Sequence, residues 1–122
     1  MLNFIIKTHR VGTIYTKPHL FVLNKGMNSG KPQKEPFTNC FVVLFQNEED
    51  CESLFFIAYS LWKTKFWHQF LCGSVIPFLR LPDFKKEFFP KAKIIPKVID
   101  TIAVTIYIKK DKFNTFKIYI SI

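Results

Sequence analysis

Residues 39–46, NCFVVLFQ, constrain the fold more than any other part of the chain. A continuous apolar run of this length, rich in β-branched and aromatic residues, is typical of a β-strand that is buried on both faces. Such a strand lies inside a sheet and not at its edge. The run therefore predicts a central strand around which the other elements are arranged.

A helix is predicted directly after this strand. Asn47 can cap it, and Glu48, Glu49 and Asp50 place negative charge in its first turn, where the free amides and the helix dipole favour it. Apolar residues then recur at steps of three and four, which predicts one stripe packed on the sheet. The stripe consists of Cys51, Leu54, Phe55, Ala58, Leu61 and Trp62.

The flanking segments predict shorter elements. Residues 2–7 and 19–24 are β-prone, and residues 25–38 have the Gly, Asn, Ser, Lys and Pro content of an exposed, flexible loop. A shorter second helix is predicted over residues 64–71, and Gly73 would end it. This helix leads into a Gly-Ser turn where backbone amides and lysines could meet an anion.

The C-terminal third predicts one more short helix and a hairpin. We expect extended chain at residues 75–79, a helix at 81–87 and extended chain again at 88–90. Residues 102–108 and 116–122 alternate between apolar and polar positions, which predicts two paired strands. Together the patterns predict a single small α+β domain with a mixed or antiparallel sheet.

Length and composition agree with one folded domain. The chain has 122 residues, of which 48% are hydrophobic, and it contains fifteen Phe. It lacks a secretory signal, and its uncharged stretches are too short to span a bilayer. The three cysteines form no C-x-x-C pair. We therefore expect a cytoplasmic protein with reduced thiols and no membrane partner.

Positive charge is concentrated in the second half of the chain. Residues 1–62 carry six basic and five acidic side chains, whereas residues 63–122 carry twelve basic and four acidic ones. A field of this sign favours nucleic acid, anionic lipid or an acidic protein as a partner. A positive charge that only keeps an apolar protein soluble is the equally simple alternative.

Candidate catalytic motifs fail on spacing. The sequence GMNSGK has three residues between its glycines instead of four, and Pro32 follows where a nucleotide-binding loop needs Ser or Thr. His68 and Cys72 are four residues apart and would share a helical face, but no third group orients them. The His and Cys residues have no metal-ligand spacing. We predict no catalytic residues, metal or cofactor.

Basic and polar residues near aromatic ones form the candidate binding site. Aromatic rings can stack on bases while lysines hold phosphates, although aromatic residues at helical spacing are more often part of a core. The predicted nucleic-acid-binding residues are Lys25, Asn28, Lys31, Lys63, Lys65, Ser74 and Arg80.

Several short motifs carry a resemblance to a known family. FVLNKGMNSGKP, NCFVV, LW and GSVIPF, with the DF that follows, look like an uncharacterised family of small proteins from Bacteroidota, a domain of unknown function. The resemblance covers residues 7–90 and implies no activity. It divides the single domain, residues 1–122, into a family-like core at 1–90 and a hairpin extension at 91–122.

Residues 60–90 more distantly resemble the end of a target-recognition domain in specificity subunits of type I restriction systems, which read DNA sequence. The matching positions would be mostly scaffold: Gly73, Ser74, Ile76, Leu79, Asp83 and Pro90. The chain departs from that pattern because it has no second copy and no long helix is predicted after residue 90.

Two functions remain open. The first is a non-catalytic module that binds DNA or RNA. The alternative is a protein-interaction or structural protein that docks a partner or a second copy through its hairpin edge or its aromatic helix.

Overall fold

A computed structural model describes residues 3–101, 105–110 and 116–121, with side chains described for residues 3–93. Strand predictions for residues 2, 102–104 and 122 lie outside the described residues. The elements are the strands β1 (Phe4–Thr8), β2 (His19–Leu23), β3 (Pro32–Gln33), β4 (Cys40–Phe45), β5 (Thr105–Lys110) and β6 (Phe116–Ser121), the helices α1 (Glu48–Lys63) and α2 (Leu81–Thr101), and a 3₁₀ helix (Phe66–Phe70).

Four of these strands form an antiparallel sheet in the order β1-β4-β2-β3. Strand β4 lies inside it, with Val43 opposite Ile6 of β1 and Leu20 of β2. Five of its six residues are buried. The prediction of a central strand from residues 39–46 is therefore confirmed, as is the α+β fold class. Strand β3 was not predicted, since it has only two residues and one of them is a proline.

Helix α1 covers one face of the sheet and begins as predicted. The Asn47 side-chain oxygen accepts a hydrogen bond from the Asp50 amide at 2.8 Å, which satisfies one of the free donors of the first turn. The predicted stripe packs into the core, with one exception. Trp62 is only half-buried and lies at the edge of the helix. The buried members are Cys51, Leu54, Phe55, Ala58 and Leu61.

Helix α2 is longer than the sequence predicts. It continues through Pro90 to Thr101, so the predicted helix end at residue 87 and the extended segment at 88–90 are wrong. A proline inside a helix costs about 3 kcal/mol, whereas each buried Phe side chain contributes roughly 1.5–3 kcal/mol. Phe84, Phe88 and Ala92 lie four residues apart and are fully buried against the sheet and α1. Only a continuous helix keeps all three on one face, and this packing outweighs Pro90, which lies between Phe88 and Ala92; α2 also contains Pro96.

The second face of the sheet carries a smaller cluster around Phe21, Cys40 and Val42. The connection between β1 and β2 packs Tyr15 against it. The Tyr15 hydroxyl and the Nδ1 atom of the buried His9 are 2.8 Å apart. This hydrogen bond fixes the connection to the sheet.

The three cysteines are unpaired thiols. Burial raises the pKa of the Cys40 thiol. Burial, reinforced by the nearby negative charge of Glu48, raises the pKa of Cys51 to about 11. Because the thiolate is the reactive form, both behave as inert core residues.

The predicted C-terminal hairpin is confirmed: β5 and β6 pair with each other as a separate two-stranded sheet, with Ile106 opposite Ile120. The described residues contain no helix with the length and apolar character needed to cross a membrane.

Candidate nucleic-acid interface

Three segments meet at one end of the domain, the first of them more than thirty positions before the other two in the sequence. They are the loop 24–31 between β2 and β3, the end of α1 with the 3₁₀ helix, and the connection 72–80 that leads into α2. The Gly26 amide donates to the Pro77 carbonyl at 2.6 Å, and the Leu79 amide donates to the Asn24 carbonyl at 2.8 Å. All seven predicted binding residues lie on these segments, and we call this region the basic end.

The loop 24–31 is held in place by Trp67 of the 3₁₀ helix. Trp67 is 1% exposed, and Gly30, with φ +98°, packs directly against its indole ring. A Cβ atom on Gly30 would overlap the ring, 2.7 Å from Cγ and 2.8 Å from Nε1. Ser29 is also buried, and its hydroxyl donates to the Gly26 carbonyl at 2.6 Å. Ser29 and Gly30 are therefore buried within a loop that the sequence predicts to be exposed, whereas Lys25, Met27 and Asn28 are exposed as predicted.

The Trp67 contact has a cost. Among the described side chains, its Nε1 donor is buried without a hydrogen-bond partner. Leaving a buried donor unpaired typically costs about 1–3 kcal/mol. The ring contacts of Trp67 with Phe66 and Phe84, with centroids 5.0 Å apart in each pair, offset that cost.

Two of the predicted lysines converge on Trp62. The ammonium groups of Lys31 and Lys63 lie 5.1 Å and 5.3 Å from the centroid of its ring. Lys91 lies over Phe66 in the same way, at 4.5 Å. At these distances the negative face of the ring attracts the cation. Trp62 and Phe66 therefore each have a lysine over at least one face of the ring.

Lys65 occupies the corner between α1 and the 3₁₀ helix. Its φ of +61° makes it the one non-glycine residue in the left-handed region within the described part of the chain. Glycine or asparagine adopts this conformation at lower cost. A left-handed residue commonly follows the C-cap of a helix, so Lys65 ends α1 in this position at a higher cost than glycine would have.

We expect Lys65→Gly to raise the free energy of unfolding by roughly 0.5–1 kcal/mol, because the strain of the left-handed conformation is relieved. Urea denaturation followed by circular dichroism measures this change. The same variant should bind nucleic acid more weakly than the wild type does. A variant that is less stable, or that binds equally well, would contradict a functional reason for the lysine.

The other predicted residues line the same end. Lys25 pairs with Phe78 in an isolated β-bridge, and Asn28 and Ser74 are exposed in their loops. Arg80 lies just before α2, where its Nε is 3.8 Å from an Asp83 carboxylate oxygen. This neighbouring acid reduces the positive charge that Arg80 offers to a ligand.

Acidic side chains collect at the opposite end of α1. Glu48, Glu49 and Asp50 form its first turn, and Lys63 is the last of its 16 residues. This length corresponds to about 24 Å along the helix axis. The basic end is thus separated from the acidic cluster by more than two Debye lengths at physiological salt, each about 8 Å.

The possible thiol–imidazole pair does not form. His68 lies in the 3₁₀ helix, whereas Cys72 lies beyond its end and pairs with Phe78. His68 Nε2 is 3.3 Å from the Met27 carbonyl. The helix that would have placed both side chains on one face stops at Phe70, so this prediction is wrong. Within the described side chains, no group of three His, Cys, Asp or Glu residues could hold a metal ion.

The protein is thus a small α+β domain that has a four-stranded antiparallel sheet and a basic surface at one end. The chain belongs to a family of unknown function, DUF6943, whose model matches residues 6–115. The match extends beyond residue 90, where the sequence resemblance ended, into the hairpin. No curated protein and no solved structure matches the chain significantly.

Proposed function

We propose that this protein is a non-catalytic nucleic-acid-binding module that contacts the phosphate backbone through its basic end. The observation that supports the proposal is the convergence of Lys31 and Lys63 on Trp62, beside Lys65 at the strained corner. Three lysines from two separate segments are thereby held in a small area. A lysine ammonium is a point charge that suits phosphate oxygens.

The geometry favours contacts with phosphates over the reading of bases. Of the rings at this end, Trp67 is buried and Trp62 and Phe66 each lie next to a lysine ammonium, which leaves Phe78 as the exposed ring. Contacts to phosphate position a protein on nucleic acid and carry no sequence information. We therefore expect binding that depends little on sequence and strongly on salt.

The proposal also includes the cellular location and the source of the protein. A cytoplasmic location in a member of the Bacteroidota is consistent with unpaired, buried thiols such as Cys40 and Cys51. The distant resemblance of residues 60–90 to a domain that reads DNA is compatible with a DNA ligand. The prediction that no long helix follows residue 90 was wrong, because α2 begins at Leu81 and continues to Thr101.

Fluorescence anisotropy of labelled single- and double-stranded DNA and RNA tests the proposal. We expect dissociation constants in the micromolar range or tighter at low salt, with affinity falling as a linear function of the logarithm of salt concentration. Absence of binding at low salt, or binding that salt does not change, would refute it.

Replacement of Trp62 tests the arrangement of the lysines separately from their charge, because the substitution removes no charged group. Trp62→Ala should weaken binding severalfold, since Lys31 and Lys63 lose the ring that holds them. Trp62→Phe keeps a ring face and should recover most of the affinity. If both variants bind like the wild type, the lysines do not depend on the ring.

The alternative function is association with a protein. Its supporting observation is that β5 and β6 pair only with each other among the described strands, which leaves one edge of each strand unpaired. Open strand edges can pair with another chain. Light scattering that shows a mass increasing with concentration, combined with no nucleic-acid binding, would favour this function.

A further inference from the structure

The basic end carries an exposed apolar tip. We define it by Val75, Ile76 and Phe78 of the connection before α2, together with Met27 of the neighbouring loop. Val75 is 89% exposed, Ile76 54%, Phe78 41% and Met27 58%. Single exposed apolar residues are ordinary, whereas a cluster on adjoining loops indicates a contact surface.

The tip is a rigid structure. Residues 73–77 form a short loop that Cys72 and Phe78 close, each backbone amide donating to the other's carbonyl at 2.9 Å. Gly73, with φ +93°, makes the turn possible, because a Cβ there would lie 2.8 Å from the Ile76 carbonyl oxygen. The bonds of Gly26 to Pro77 and of Leu79 to Asn24 attach the loop to its neighbour. Preorganisation of this kind lowers the entropy cost of binding.

The charges around the tip are uneven. The loop 24–31 and the end of α1 carry Lys25, Lys31, Lys63 and Lys65 and no acidic residue. The start of α2 also carries cations, Arg80, Lys85 and Lys86, but there they are mixed with Asp83 and Glu87, and Asp83 pairs with Arg80. A flat anionic surface such as a lipid bilayer would be met best by cations all around an apolar tip. A linear polyanion that passes along one side of the tip fits this arrangement better.

We propose that the apolar tip inserts between bases of the nucleic acid that the basic end holds, with Val75 and Ile76 as the inserting side chains. This inference rests on the proposed function. Proteins that enter base steps do so with apolar side chains, Ile among them, and unstacking a step costs a few kcal/mol. The protein should therefore prefer nucleic acid in which a step is already unstacked.

The test compares a fully paired DNA duplex with the same duplex carrying a two-nucleotide bulge, at equal salt. We expect the wild type to bind the bulged duplex about tenfold more tightly, which corresponds to 1.4 kcal/mol. The double variant Val75→Ser, Ile76→Ser should lose this preference and keep its affinity for the paired duplex. Both side chains are exposed, so the variant should fold, and circular dichroism verifies this.

A matched control comes from the connection between β1 and β2. Val11 and Ile14 are 75% and 89% exposed and belong neither to the tip nor to the three segments of the basic end. The variant Val11→Ser, Ile14→Ser should keep the preference for the bulge, because it removes similar apolar surface elsewhere. Loss of the preference in this control would show that apolar surface in general, and not the tip, is responsible, and would overturn the inference.

The outcomes separate the two proposals. No binding to either duplex refutes the proposed function itself. Binding without preference for the bulge, or a preference that survives in Val75→Ser, Ile76→Ser, refutes only the insertion. Sedimentation with phosphatidylserine vesicles tests whether the tip binds lipid instead of nucleic acid. Vesicle binding that the double variant abolishes would assign the tip to lipid and overturn the inference.

Discussion

Replacing Gly30 by Ala should lower the free energy of unfolding by roughly 3 kcal/mol or more, because two penalties coincide. The backbone of Gly30 has φ +98°, which is strained for any residue with a Cβ. The new Cβ would also overlap the indole of Trp67, which is fully buried. Urea denaturation measures the change, and a lower midpoint at unchanged slope is expected.

Gly12→Ala is the matched control for this substitution. Gly12 has a similar φ of +89°, but a Cβ there would meet no atom within 4 Å. Its cost should be limited to the backbone term of about 1–2 kcal/mol. The difference between the two variants isolates the contact with Trp67. Equal losses of stability would show that this contact does not hold the loop.

The contact between Gly30 and Trp67 also illustrates what the sequence could not predict. Gly30 was assigned to an exposed loop because its neighbours are Gly, Asn, Ser and Lys. Local composition identifies a turn, and a turn is present there. The burial of the turn depends on a ring 37 positions further along the chain, and no periodicity within either segment reports such a contact.

The elements that were predicted correctly are those with strong local signals. Strand β4 is a continuous apolar run, and α1 has both a cap at Asn47 and an apolar stripe. Helix α2 was predicted to end early because Pro90 normally stops a helix. The helix continues past Pro90 because Phe84 and Phe88 are buried on one face of it. The sequence contained that four-residue spacing, and giving it more weight than the proline would have predicted a longer helix.

The candidate site was predicted as a set of residues and not as an arrangement. Charge and aromatic content drew attention to Lys31, Lys63 and Trp62, but Trp62 also fitted the core stripe of α1, and a place in the core was the more frequent outcome for such a residue. Its place at the edge of the helix, beneath two lysines, follows from how the loop 24–31 packs. The sequence composition singled out these residues, but only the tertiary contacts show that two of the lysines lie over one ring.

We expect the triple variant Lys31→Ser, Lys63→Ser, Lys65→Ser to weaken nucleic-acid binding by a factor on the order of a hundred or more at low salt. The three side chains belong to one cluster, so a ligand that contacts one lysine can contact the others. Each phosphate contact contributes about −0.9 to the salt slope on duplex DNA, so the slope should become shallower by about 2.7 if all three are made. Anisotropy titrations over a series of salt concentrations measure both quantities.

The variant Lys7→Ser, Lys17→Ser, Lys34→Ser removes the same charge from exposed positions outside the basic end. If the net positive charge of the chain acts only as a diffuse field, both triple variants should lose affinity and slope equally. If the cluster around Trp62 binds phosphates, the control should keep the wild-type slope and most of the affinity. Equal losses of affinity and slope in the two variants would show that the basic end acts only through the overall charge of the protein. A loss confined to the first variant would assign phosphate contacts to Lys31, Lys63 and Lys65.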